Sequence, residues 1–351
     1  MTVEIRTASN ADAPEWDRII SGSPQGTLFH QWNWLKITEK HTQSKLYPLI
    51  GTKNGVPVGA FPLFFQKKGP LRMVFSPPPR AALFYLGPVL TGCDPLRQEK
   101  WEEIYFDFQN SAENFILNEL KANYISISLS PGLQDPRPFD WSGYLVEPLY
   151  DYEIDLTQGA EYLFRTIDKK QRQDLTRAQK KGITVEVGQK KEFEKILDLM
   201  ELRYAQQQKV VTVPRSYLAD IFNSYKDNVT VFVAKYEDEI VTGLIDLHYK
   251  DTIYSWIGNL KPIIKISPSP TDLLNWEAVS FGCEQGFKYY ILLSAAGNER
   301  LHSYSSAKFN PTLKIRYHAK KTSIITGVFE KGYVNILKPL RGRMKHLTAE
   351  E

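Results

Sequence analysis

The densest grouping of chemically useful side chains lies between residues 160 and 182, where AEYLFRTIDKKQRQDLTRAQKKG reads as helix. At helical spacing Arg165, Lys169, Arg172 and Lys180 fall near one face, and Lys170, Arg177 and Lys181 form a neighbouring stripe. Guanidinium and ammonium groups donate charge-assisted hydrogen bonds to phosphate oxygens, so Lys169, Arg172 and Arg177 are candidate contacts for a phosphate-bearing ligand. A solvated helix face is the plain alternative. The formal net charge of the whole chain is only +4, far from that of a dedicated nucleic-acid binder, so the weight rests on this local clustering.

A second grouping is aromatic. Tyr254 and Trp256 alternate with Ser255 and so share one face of a strand, and Trp276 and Tyr304 are expected to join them in a wall; core packing is the ordinary use of such rings. No GxSxG, HExxH, phosphate-binding P-loop or Rossmann glycine set occurs, and the six histidines have no paired spacing. The two cysteines, Cys93 and Cys283, stand in no metal-ligating pattern, so no metal site is expected.

The elements that must position these residues are legible in outline. Val3–Thr7 reads as strand, 12–20 and 31–39 as helices, and 46–52 and 56–65 as strands joined by an Asn54-Gly55 hairpin turn. Strand patterns at 71–75 and 83–86 flank the Pro77-Pro78-Pro79 block, a helix is expected over 95–122, and a buried strand over 124–129. After a strand at 152–156 the order starts again: a helix over 160–180 closed by Gly182, a strand at 183–187, helices at 191–207 and 215–225, then a three-strand meander over 229–257. A helix over 270–285 opens with Ser269 as N-cap, Pro270 at the first position and Asp272 in capping-box spacing; a strand at 289–293, a short helix near 299–306 and strands near 313–317 and 324–329 complete the chain. This is an α+β pattern with largely antiparallel strands, and at 351 residues it divides into two domains, 1–151 and 152–351.

Composition agrees: 42% hydrophobic and 24% charged residues suit a globular protein. No apolar run approaches the roughly 20 residues of a spanning helix, and residues 1–12 lack a secretory pattern, so a cytoplasmic protein is expected.

Several of these stretches together resemble the FemAB-related acyltransferases. In the second half these are Asp155-Leu156 before a helix, the basic run to Lys181-Gly182, Tyr254 to Gly258, and Pro270 with Leu273-Leu274-Asn275-Trp276; in the first, Leu28-Phe29-His30-Gln31 with Trp34, and Val58 to Leu63. Lys308-Phe309-Asn310-Pro311 matches the end of the family's FKxKFNP motif, whose leading Phe-Lys pair is replaced here by Ser305-Ser306. The resemblance implies tandem GNAT-like domains and transfer of an aminoacyl or acyl unit to an amine on a cell-envelope precursor, sugar or peptide. Its donor would be an aminoacyl-tRNA or an acyl-thioester such as acyl-CoA, with no permanently bound cofactor and with tRNA contact possible.

That chemistry needs a base for the ammonium proton and a polar group for the tetrahedral oxyanion. Asp246 and Glu277 are the candidate bases, and Lys308, Tyr254 or Ser306 the candidates to stabilise charge. As ordinary residues Asp246 would face water from a strand and Glu277 from a helix. Two other readings stay open. One is a noncatalytic binder that kept the fold and lost the motif lysine. The other is a conventional acetyl-CoA N-acetyltransferase, although 258–269 lacks the usual (Gln/Arg)-x-x-Gly-x-(Gly/Ala) pyrophosphate loop.

Overall fold

The computed structural model describes residues 2–92, 97–258, 261–262, 264–293 and 309–323. Its first half runs β1 (Glu4–Thr7), α1 (Ala13–Gly22), α2 (Trp32–Thr42), β2 (Lys45–Lys53), β3 (Val56–Lys68), β4 (Leu71–Ser76), β5 (Val89–Leu90), α3 (Gln98–Asn114), β6 (Tyr124–Ser128) and α4 (Arg137–Trp141). The connecting strand β7 (Leu145–Asp155) leads to α5 (Ala160–Thr166), α6 (Lys169–Lys180), β8 (Thr184–Gly188), α7 (Lys190–Gln206) and α8 (Arg215–Ser224). Then follow β9 (Val229–Tyr236), β10 (Glu239–Tyr249), β11 (Thr252–Gly258), α9 (Pro270–Glu284), β12 (Tyr289–Leu292) and β13 (Thr312–Thr322). The short helix expected near 299–306 and the strand near 324–329 lie outside the described residues.

The strands form one 13-stranded sheet in the order β1-β2-β3-β4-β6-β13-β7-β12-β11-β10-β9-β8, with β5 beside β3. Each half repeats one pattern. An antiparallel meander, β1 to β4 or β8 to β11, is followed by a parallel partner reached through a crossover helix: β6 beside β4 by way of α3, and β12 beside β11 by way of α9. Parallel neighbours require such a crossover, which places α9 on one face of the second half. Apart from these two pairs the named strands pair antiparallel, so the α+β expectation holds.

The halves exchange their last strands. β7 precedes the second half yet pairs with β12, and β13 ends the described chain yet pairs with β6. β7 and β13 then pair with each other from Thr312↔Glu153 to Lys320↔Leu145. The sequence boundary at 151/152 therefore falls within a strand. At this seam a buried ion pair joins Arg316 Nε to Asp151 Oδ2 at 2.8 Å, and Arg316 also donates to the Phe84 carbonyl.

Apolar residues collect in three clusters. One lies under α3 in the first half, one under α9 and α6 in the second, and the third joins the two halves. In the last, Trp34 of α2 meets Trp256 of β11 with ring centroids 5.7 Å apart and donates its indole N–H to the Tyr217 hydroxyl of α8. Such ring pairs contribute about 0.5–1.5 kcal/mol beyond the area they bury, so the junction is held as a core.

Some local expectations change. Helix 160–180 is two helices, because Asp168 turns extended and caps α6 by accepting from Lys170 N and Gln171 N. Residues 83–86 form no named strand, only a parallel bridge between Leu86 and Leu129. The 95–122 helix is α3 followed by a π-helical turn at Phe115–Glu119. Ser269 and Pro270 open α9 as expected, but the Ser269 hydroxyl makes no cap bond.

Candidate functional site

The basic stripe survives as a groove. Lys169, Arg172, Arg177 and Lys180 of α6 line a cavity of about 550 Å³ together with Phe164 of α5, Gln173 and Thr176. Positions 169, 172, 173, 176, 177 and 180 are the i, i+3, i+4 series of one helix face. Arg172 directs its guanidinium to the carbonyls of Arg165 at 2.8 Å and Ile167 at 2.5 Å, which fixes the group without neutralising it. Arg177 is partly offset by its ion pair with Asp174. Of the three other expected cations, none of which lines the groove, Arg165 pairs with Glu161 at 3.5 Å and Lys181 donates to the Ser267 carbonyl.

An aromatic column leads from this groove toward α9. The Phe164 ring lies 5.1 Å from Trp276, and Trp276 stacks on Phe309 at 6.3 Å with planes 24° apart. Phe309 belongs to the matched Lys308-Phe309-Asn310-Pro311 stretch and is buried. Glu277, next to Trp276, is half-buried and interacts with Gln179 of α6; burial, and then the like charge of Glu284, push its carboxyl up.

Asp246 does not face water. It is 1% exposed, at a β-bulge between Ile245 and Asp246 in the pairing of β10 with β11. Its Oδ2 accepts a 2.8 Å hydrogen bond from the Tyr290 hydroxyl of β12, while Oδ1 has no partner among the described residues. Burial pushes the carboxyl up to about 8, against the opposing effect of the Tyr290 bond. Its register partner Ser255 also interacts with the Tyr290 hydroxyl, so the three polar groups form one buried set. They sit where the β11–β12 pairing ends, at Ser255↔Leu292, while β11 runs on to Gly258. Gly258 is required there: at φ +117° an added Cβ would stand 2.4 Å from the Gly243 carbonyl oxygen.

The expected aromatic wall divides. Tyr254 and Trp256 are buried in the cluster between the halves, where Tyr254 meets Phe29 and Tyr85, and Trp256 donates to the Ala82 carbonyl. Trp276 packs against the other cluster, under α9. The physical reason is strand alternation: Tyr254 and Trp256 point away from the α9 face that Ser255 and Asp246 share. Tyr254 and Lys169 therefore do not line one groove. Tyr304, Ser306 and Lys308 lie outside the described residues.

Residues 165–301, which span α6, the β8–β11 meander, α9 and β12, match the family described as acetyltransferase (GNAT) domain. The chain carries a GNAT domain. With it comes the acyltransferase class, which agrees with the FemAB-type resemblance of the sequence. The crystal structure of FemX is similar over 95% of this chain and 99% of that one, with TM-score 0.66 at 13% identity. The C-terminal domain of a lysylphosphatidylglycerol synthetase from Agrobacterium fabrum, described as putative, aligns over 93% and 98% with TM-score 0.55 at 16% identity. A tandem GNAT protein from the clavulanic acid biosynthesis pathway aligns over 90% and 98% with TM-score 0.53 at 11% identity. At these identities the similarity is one of fold. No curated protein matches the chain in sequence.

Tyr290, within the matched residues, and Phe164, just ahead of them, are not among the residues expected from the sequence. Tyr290 could have been found from the run Val241 to His248: a strand apolar on both faces is buried on both, so its one carboxylate must have a buried donor nearby. Phe164 had no comparable signal, because its role depends on the break between α5 and α6. Among the described residues no group of three or more His, Cys, Asp or Glu could hold a metal ion, and no helix is long and apolar enough to cross a membrane.

Proposed function

We propose that the protein transfers an acyl or aminoacyl group from a phosphate-bearing donor laid along the α6 groove to an amine acceptor on a cell-envelope precursor, sugar or peptide. The observation that carries this reading is the convergence of Lys169, Arg172, Arg177 and Lys180, all within the matched residues 165–301, on one cavity beside the Phe164–Trp276–Phe309 column. Cations suit the phosphates of coenzyme A or of an RNA end, and the apolar column suits a pantetheine arm or a base. The family description favours an acyl-CoA donor; aminoacyl-tRNA is the second donor, supported by the fold shared with FemX. Both donors are made inside cells, so a cytoplasmic site of action belongs to the same reading.

In this reaction the acceptor must arrive as a free amine, and the carbonyl oxygen gathers charge as nitrogen attacks. Asp246 is assigned to proton acceptance through the Tyr290 hydroxyl, since a carboxyl near 8 can change state close to neutrality. Glu277 is the alternative base, at the α6–α9 contact. Lys308 is assigned to the developing oxyanion, with Ser306 beside it in sequence.

Steady-state kinetics with acyl-CoA and with aminoacyl-tRNA test this assignment. Lys169→Ala and Lys180→Ala are expected to raise the donor KM several-fold with little change in kcat, and to flatten its salt dependence. Lys308→Ala is expected to lower kcat. A steep salt slope would identify the RNA donor, a shallow one the thioester. Unchanged kinetics in all three variants reject the site.

A further inference from the structure

A second cavity lies on the opposite side of the sheet from the α6 groove, and nothing in the transfer chemistry uses it. Its outer chamber, about 750 Å³, is lined by Pro24 and Pro131 of the first half, by Tyr289 and Asp251 of the second, and by the seam strands β7 and β13. An inner chamber of about 110 Å³ shares Pro24, Pro131, Gly132, Asp251, Thr252 and Ile291 with it and reaches Ser130, Tyr85, Tyr249 and Tyr254. The outer volume falls in the range of small-molecule sites, about 300–1,000 Å³.

The lining excludes most ligand classes. Its carboxylates already have cations: Asp151 with Arg316 at 2.8 Å, Glu153 with Lys314 at 3.0 Å, and Asp251 with Lys288 at 3.2 Å. Lys250 is turned to the carbonyls of Ser23 and Ile20. Among the described residues no unpaired carboxylate of the lining is left to select a polyamine, and the single Lys250 ammonium, held by two carbonyls beside Asp251, contrasts with the four cations that line the α6 groove. What the cleft offers is tyrosines, with Tyr289 and Tyr317 in the outer chamber and Tyr85, Tyr249 and Tyr254 in the inner, among paired polar groups that still hold free lone pairs. Ser130 adds a hydroxyl that is 0% exposed, lines the inner chamber and has no hydrogen-bond partner among the described residues. Buried polar groups are normally satisfied, so this one marks a place for a ligand oxygen or a bridging water.

The partly exposed rings of Tyr289 and Tyr317, interspersed with paired donors and acceptors, match a molecule with apolar faces and a hydroxyl rim, while the buried Tyr85 and Tyr254 wall the inner chamber. We propose that this cleft is a binding site for a neutral oligosaccharide of a few rings, with one hydroxyl or hydroxymethyl group reaching Ser130. The assignment stands on the cleft's own lining and is independent of the donor groove.

The test is titration of the full chain with maltotriose, cellotriose and triacetylchitotriose, with spermidine and trilysine as charged controls. Binding is followed by calorimetry and by saturation-transfer NMR. At least one neutral trisaccharide is expected to bind, with affinity about tenfold weaker in Tyr289→Ala and several-fold weaker in Ser130→Ala. Ser130→Ala removes a hydroxyl that bonds nothing among the described residues, so its fold should be intact. Lys169→Ala should bind the sugar as the parent does, which separates failure here from failure of the donor assignment. The proposal is overturned if no trisaccharide binds at millimolar concentration, if binding is unchanged in both cleft variants, or if the charged controls bind the cleft in their place.

Discussion

The two halves share one scaffold and differ in what is laid on it. Both run a four-stranded antiparallel meander, a crossover helix and a parallel strand, yet only the second has α5 and α6 inserted ahead of its meander. In the first half α1 and α2 bury Trp16, Trp34 and Leu35 in the junction, and the crossover helix α3 is met by the short α4. In the second half the crossover helix α9 is met by α5 and α6, whose outer face carries the cation-lined groove. The strands differ as well: β3 has no acidic residue, whereas β10 at the matching place in its meander buries Asp246. The repeated topology thus fixes a platform, while the cation-lined groove and the buried carboxyl belong to one copy of it alone.

The largest effect is expected where the halves are joined. Arg316→Met leaves Asp151 buried without its cation, and breaking such a pair costs about 3–5 kcal/mol. Because β7 and β13 bind the halves together, chemical denaturation followed by tryptophan fluorescence and by circular dichroism should show one shifted transition. Two separated transitions would mean that the halves unfold independently, and would break the comparison as drawn.

A smaller, pH-dependent effect should mark β10 alone. The folded-state value of Asp246, about 8, lies above the ordinary carboxyl value of 3.8, so the folded protein holds a proton that the unfolded chain releases. Stability from this group is therefore full below about pH 4, declines as pH rises toward 8 and is level above that, a loss of a few kcal/mol. Asp246→Asn should remove the slope and leave the protein more stable than the parent at pH 8.5, measured by urea denaturation across pH. If the slope persists in the variant, another group carries it.

The smallest effect belongs to the exposed contact between α2 and α8, where Asp220 accepts from Lys40 at 2.7 Å and pairs with His41 at 2.8 Å. Lys40→Ala should cost under about 1 kcal/mol, as solvated ion pairs do. A shift in thermal midpoint well beyond that would show that this surface contact, and not the aromatic core, holds the junction.

These contrasts also show what a sequence can reveal. The Asn54-Gly55 turn was legible because its backbone adopts positive φ at both residues, 55° and 76°, a conformation those side chains tolerate. The 229–257 meander was legible for the same kind of reason, with Glu237 and Asp238 at positive φ. The cation stripe was readable as a helix face, and four of its members do share the groove. The aromatic wall was not, since alternation shows that Tyr254 and Trp256 agree with each other but not which face α9 will cover. Nor was the strand exchange: β13 lies between β6 and β7 through pairings far apart in sequence, which local periodicity does not encode.

The exchanged strands set an order of events during synthesis. The edge of β6 ends at Ser128, and the strand that covers it begins at Thr312. At about 5–20 residues per second the ribosome needs roughly 10–40 s to deliver that cover. Throughout that interval the nascent first half presents an unpaired edge, open to other chains or to chaperones. Cutting the gene between the halves would make the exposure permanent on one fragment.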